Sequence, residues 1–176
     1  MEYLYTPWRM AYLRGENKKP DVDCIFCAKA AASDAASDQQ ELVVARSTFV
    51  FVTLNRYPYN NGHLMIVPYE HVPSPENLSA EALTDLMLTT NHALAALRRV
   101  YNPQAFNVGA NLGAAAGAGI ADHFHLHIVP RWAADTSYMT IVSDTRVIPE
   151  LLEVTWRKLR EAWPGTQARV QPDGET

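Results

Sequence analysis

The sharpest pattern along the chain is the alternation His123-Phe124-His125-Leu126-His127-Ile128-Val129. Successive side chains on a strand point to opposite faces, so the three imidazoles share one face and Phe124, Leu126 and Ile128 point into a core. Residues 41–46 and 48–55 are rich in β-branched and aromatic side chains and predict two more strands. A turn cluster at 57–62 leads into a strand over 63–67, stopped by Pro68, and residues 105–112 predict another. Ser79 is a helix N-cap followed by Leu83, Leu86, Met87, Leu94 and Leu97 at helical spacing, a stripe expected to face the core with Met87 packed in it. His92 on the same helix reads as ordinary surface. Pro149 suits the first turn of a closing helix carrying Leu152, Trp156, Leu159 and Trp163, ended by Pro164-Gly165. The Ala-, Ser- and Asp-rich residues 30–40 read as an exposed loop with room for a helical turn, and residues 165–176 as a disordered tail.

A length of 176 residues suits one domain, residues 1–176. A net charge of −4 and a pI near 5.8 argue against a nucleic-acid surface, which needs basic patches to exchange counterions. No stretch is long and apolar enough to span a membrane, and the first residues match neither a signal nor a transit peptide. The cytoplasm is the expected location.

Half of the six histidines lie in the one alternating run. Buried imidazoles need hydrogen-bond partners, so a merely structural strand has little reason to present three. A site built on all three around one metal is the first alternative, because imidazole is the commonest metal ligand. Side chains at three successive even positions splay along about 13 Å, however, so all three reach one ion only if the strand curves. The other alternative divides the labour, with one ring nucleophilic and its neighbours binding metal or phosphate. Upstream, Asn111-Leu-Gly-Ala-Ala-Ala-Gly-Ala-Gly-Ile-Ala-Asp122 is built almost wholly of small residues. Such a loop brings backbone N–H groups close to an anion. It lacks the third glycine of a dinucleotide fingerprint, and a strand follows it instead of a helix.

His-x-His-x-His with apolar residues between and after resembles the signature of the histidine-triad family of nucleotide hydrolases and transferases. The stretch from Asn55 through Pro-Tyr-Asn-Asn-Gly-His63 to Pro68-Tyr-Glu-His71 resembles the family's upstream strand pair. Trp8-Arg9, Val129-Pro-Arg-Trp132 and Thr145-Arg-Val-Ile-Pro-Glu-Leu-Leu152 resemble the branch containing actinobacterial diadenosine tetraphosphate phosphorylases. The resemblance implies an α+β histidine-triad fold, an antiparallel sheet with packed helices, that forms a homodimer.

Cys24-Ile-Phe-Cys27 contains the only two cysteines. A lone C-x-x-C can be a redox pair, half a zinc site or coincidence, and no βαβ context supports a redox motif. A structural zinc needs four ligands, so two histidines must join the thiols. The resemblance to galactose-1-phosphate uridylyltransferases, distant relatives of the triad proteins, supplies them: His71, ending Pro68-Tyr-Glu-His71, and His123, the first of the triad. Spacing agrees, because His123 and His125 are about 7 Å apart along a strand, leaving one for metal and the next for chemistry.

The same resemblance makes His125 the nucleophile on an α-phosphate, with its other ring nitrogen held as a donor to a carbonyl on the facing segment. His127 then contacts phosphate oxygens or protonates the leaving group, and His63 completes the site from the neighbouring strand, with His123 counted among the catalytic histidines. Amides of Gly117, Ala118 and Gly119 stabilise the transferred phosphoryl group, Asn55 meets the ribose, Asn111 orients the leaving phosphate, and Trp132 stacks on a base or closes the pocket. Ala118-Gly119-Ile120 carries no hydroxyl where many relatives place one. Water is therefore expected to compete well with phosphate as acceptor. Three readings follow: a nucleotidyl hydrolase or transferase acting on dinucleoside polyphosphates such as diadenosine tetraphosphate, a phosphorylase releasing a nucleoside diphosphate, or a nucleotide-binding sensor with residual chemistry. The complete triad favours an enzyme, since a binding module needs no nucleophile.

Overall fold

The computed structural model describes residues 24–31, 34–133, 135 and 150–164. Trp8, Arg9, residues 145–149 and the expected tail at 165–176 lie outside the described residues. Helices α1 (Ile25–Ala31) and α2 (Ala35–Gln40) precede strands β1 (Val43–Arg46), β2 (Val50–Leu54) and β3 (Leu64–Pro68). Helix α3 (Ala80–Tyr101), strands β4 (Ala105–Gly109) and β5 (Leu126–Arg131) and helix α4 (Leu152–Ala162) follow. The strands form one sheet in the order β1-β2-β3-β5-β4, with every neighbouring pair antiparallel. This agrees with the expected class, an α+β protein built on an antiparallel sheet.

Period-two alternation explains why β2 and β3 read as unbroken apolar runs: both faces of the sheet are covered. Val44, Val50, Val52, Leu54, Leu64, Ile66 and Ile128 join Leu86, Ala93 and Leu97 of α3 and Leu159 of α4 in the larger core. Val43, Phe51, Met65 and Val67 face the other way, against Cys24 and Phe26 around α1. Met65 pairs with His127 across β3 and β5, which puts His127 on the face that α1 covers. Buried Lys29 fastens α1 there, donating to the Glu41 carbonyl and to Thr53 Oγ1.

Four expectations need correction. Leu83 and Met87 are 36% and 54% exposed, and the buried face of α3 runs instead through Ala82, Leu86, Thr89, Thr90, Ala93, Ala96 and Leu97. Small side chains let the helix sit close to the sheet, so large residues alone misplace the stripe. The N-cap stands as read, Ser79 Oγ accepting from the Ala82 N–H at 3.1 Å. Residues 35–40 are largely exposed, as read, but form a helix where at most one turn was expected. Asp34 caps α2 by accepting from the Ser37 N–H, and buried Asp38 accepts from Arg46 and Arg160. Strand β4 ends at Gly109, three residues before the predicted boundary. β5 starts only at Leu126, because the Phe124 N–H leaves the ladder to bond the Val72 carbonyl. His92 is exposed, as read. No helix among the described residues is long and apolar enough to cross a membrane.

Candidate active site and metal cluster

The histidine at the head of β3 depends on the glycine before it. Gly62 has φ +75°, and a Cβ there would lie 2.9 Å from Leu97 Cδ2, so only glycine turns the chain tightly enough beside α3. His63 follows, fully buried. Its Nδ1 accepts from the Tyr59 N–H at 3.1 Å, with Asn55 Nδ2 at 3.4 Å. Burial, reinforced by the neighbouring His127 and His125, pushes its pKa down to about 3, so the ring is neutral. A neutral imidazole that accepts at Nδ1 must carry its proton on Nε2. That Nε2–H therefore donates to His127 Nδ1, 2.9 Å away. His127 in turn holds its own proton on Nε2, as a donor. One backbone amide thus sets the tautomers of two histidines.

His125 is set differently. Its Nδ1 is 2.9 Å from the His123 carbonyl, which can only accept, so Nδ1 is protonated and Nε2 keeps its lone pair. The carbonyl belongs to the same segment two residues back, where a facing segment was expected. Desolvation lowers the His125 pKa, opposed by this hydrogen bond, and the ring stands 4.8 Å from that of His127. Phe26 lies tilted against the same ring, centroids 5.0 Å apart. A lone pair on one ring beside an N–H donor on the next is an arrangement suited to attack on phosphorus with support for the charge that develops.

The first histidine of the run has turned to other partners. His123 Nε2 donates to the Pro68 carbonyl at 2.9 Å, which leaves Nδ1 unprotonated in the neutral ring. That nitrogen is 3.3 Å from Cys24 Sγ and 3.6 Å from Cys27 Sγ, and His71 Nδ1 is 3.2 Å from Cys27 Sγ. All four ligand atoms lie within 4.8 Å of one another. Tetrahedral zinc, with bonds of about 2.3 Å to sulfur and about 2.0–2.1 Å to nitrogen, separates S and N ligands by about 3.6 Å. Two soft thiols, two imidazoles and a carbonyl orienting one of them fit such an ion.

The HIT domain matches residues 36–134. The chain is 41% identical over 165 residues to AP-4-A phosphorylase of Mycobacterium tuberculosis, covering 93% of this chain and 85% of that protein. The chain belongs to the HIT family. A Schizosaccharomyces pombe relative, bis(5'-nucleosyl)-tetraphosphatase [asymmetrical], is 33% identical over 89 residues, 51% of this chain and 48% of its own length. Among solved structures, a Zn-bound histidine triad family protein from Mycobacterium smegmatis superposes with a TM-score of 0.62. It is 25% identical and covers 80% of this chain and 92% of its own. This HIT chain is a nucleotide hydrolase or nucleotidyltransferase.

The remaining residues singled out in this HIT chain are found in different states. Asn55 turns inward, its Oδ1 accepting from the Tyr57 N–H at 2.9 Å. The loop after β4 holds a short 3-10 turn, Ala114–Ala116, and Gly117 leaves it at φ +89°, where a side chain would be strained. Gly117 N–H bonds the Ala114 carbonyl at 2.9 Å and Ala118 N–H bonds that of Gly113 at 3.4 Å, so both amides are engaged within the turn. Gly119 makes no backbone hydrogen bond of this kind among the described residues. Asn111 and Trp132 are half-buried and make no side-chain hydrogen bond to the triad among the described residues. Sequence reasoning missed the Tyr59 amide, the Pro68 and His123 carbonyls, and Phe26. Backbone donors leave no residue-type signal; Phe26, enclosed by the two cysteines, did.

Proposed function

We propose that this chain cleaves dinucleoside polyphosphates of the diadenosine tetraphosphate class, passing a nucleotidyl group through His125 to inorganic phosphate. His125 Nε2 attacks the α-phosphorus, the bond from that phosphorus to the bridging oxygen breaks, and the polyphosphate half departs. The Nε2–H of His127 donates to oxygens gaining charge in this step. An oxygen of the acceptor then displaces His125, breaking the P–N bond and restoring the neutral ring. The observation that carries this reading is the opposite protonation of the two rings, with His125 donating at Nδ1 and His127 accepting at Nδ1. The likeness to AP-4-A phosphorylase over nearly the whole chain supports phosphate as acceptor.

Water is the second reading, favoured by the loop, where Ala118-Gly119-Ile120 has no hydroxyl and two amides are already engaged. An incoming phosphate dianion needs donors to offset repulsion from the substrate, and water does not. Asn111, Asn55, Gly119 and Trp132 are assigned to the nucleotide on the family resemblance. Cys24, Cys27, His71 and His123 would hold one zinc per chain, with a structural role of joining α1 to the segment before β5. Both cysteines are free thiols, which fits a reducing cytoplasm. The outer edge of β4, which pairs with no further strand among the described residues and where Val108 is 46% exposed, is the surface through which a homodimer would form.

Incubating the protein with diadenosine tetraphosphate, with and without inorganic phosphate, and resolving the products by chromatography tests the reading. ADP and ATP that require phosphate are expected. AMP and ATP at a rate insensitive to phosphate would make the chain a hydrolase. Failure to form any covalent nucleotide in a single turnover would leave the binding module.

A further inference from the structure

Phe26 sits between the two sites and is assigned to neither. It lies on α1, two residues after Cys24 and one before Cys27, and is 1% exposed. Its ring meets His123 edge-on at 5.4 Å and lies tilted against His125 at 5.0 Å. His125 has His127 on another side, at 4.8 Å, and its Nδ1–H is fixed to the His123 carbonyl. A single hydrogen bond defines one point of an imidazole and leaves the ring free to swing about it. The broad torsion of a ring about its last side-chain bond allows that swing. Phe26 closes the space into which it would occur.

We propose that Phe26 is a positioning residue for the reaction, holding the His125 ring so that Nε2 stays aimed at the phosphorus. The inference rests on the reading of His125 as nucleophile. α1 has only seven residues, too short to hold its own place, and the Cys24 and Cys27 thiols that flank Phe26 are what join it to His71 and His123. The metal cluster therefore reaches the chemistry through an aromatic ring it holds in register. A displacement of about 1 Å at a reacting atom costs as much as about 10²-fold in rate.

The test compares the wild-type protein with Phe26→Leu, which keeps the site apolar and loses the flat face. Three quantities are read: zinc per chain, the single-turnover rate of nucleotidyl transfer to the enzyme, and the His125 side-chain signals in a ¹H–¹⁵N spectrum at one fixed pH. The expected result is unchanged zinc, a transfer rate lower by about tenfold or more with KM within about threefold, and a His125 Nδ1–H signal that broadens or splits. Wild-type protein stripped of metal should show the same spectral change. A folded Phe26→Leu with wild-type transfer rate and an unaltered His125 signal would overturn the proposal. Should Phe26→Leu fail to fold, an unaltered His125 signal in stripped, folded wild type overturns it instead. If the wild type never forms a covalent nucleotide on His125, the underlying reading fails, and the two failures are thereby separate.

Discussion

His123 and His125 are two positions apart in one run and face different partners. Each gives one ring N–H to a backbone carbonyl, but not the same one. Pro68 takes the Nε2–H of His123, leaving Nδ1 beside two sulfurs, whereas the His123 carbonyl takes the Nδ1–H of His125, leaving Nε2 open. Burial lowers the pKa of both rings, so burial does not separate their roles. What separates them is which nitrogen a carbonyl occupies and whether thiols or imidazoles stand across from the other. In a repeated histidine motif, function is written in the partners.

The strongest way to break this division is His125→Asn. On the proposed reading, turnover should fall by about 10³-fold or more, while zinc content and melting temperature stay near wild type. Steady-state kinetics beside metal analysis checks both halves, and a folded variant with near-normal turnover ends the assignment. Chelation, or Cys27→Ser, acts on the other half. Losing a structural zinc should lower the melting temperature by about 10 °C, because binding free energy there is folding free energy. A protein that proves fully stable and free of zinc removes the metal half of the comparison.

The smallest effect concerns pH. His63 is neutral in the fold down to about pH 3, whereas in the unfolded chain it protonates near pH 6.5. The unfolded state therefore binds more protons between these values. The contribution is fully present above pH 6.5 and is lost as pH falls toward 3, amounting to about 1.4 kcal/mol by pH 5.5. Thermal melts at pH 7.5 and 5.5 should differ by a few degrees more in wild type than in His63→Phe. An equal slope in both proteins would place the acid sensitivity elsewhere.

Much of this was legible in the chain because it rests on side-chain identity. The triad, the C-x-x-C pair with His71 and His123, the Ser79 cap and the five strands all carry residue-type signals. The illegible parts rest on backbone or on size. No letter marks the Tyr59 amide that fixes the His63 tautomer, or the Val72 carbonyl that draws Phe124 out of the ladder. The face of α3 was misjudged because Ala93 and Ala96, small enough to permit close approach, outrank Met87 in burial. α2 was read as no more than a turn because an Ala/Ser/Asp stretch resembles a loop until Asp38 is seen to hold Arg46 and Arg160.

The strand order has a consequence for how the protein comes into being. β1, β2 and β3 follow one another in sequence and pair as neighbours, so that half of the sheet closes short loops only. His63 stands at its border, and His127, the partner that accepts its hydrogen bond, is 64 positions further on. Closing so long a loop costs entropy before any contact repays it, and such non-local pairings form slowly. On a nascent or refolding chain, the sheet's first three strands can be in place while the hydrogen bond between the two histidines does not yet exist. Catalytic competence is therefore a late event in the life of the chain, reached only when β5 slides in between β3 and β4.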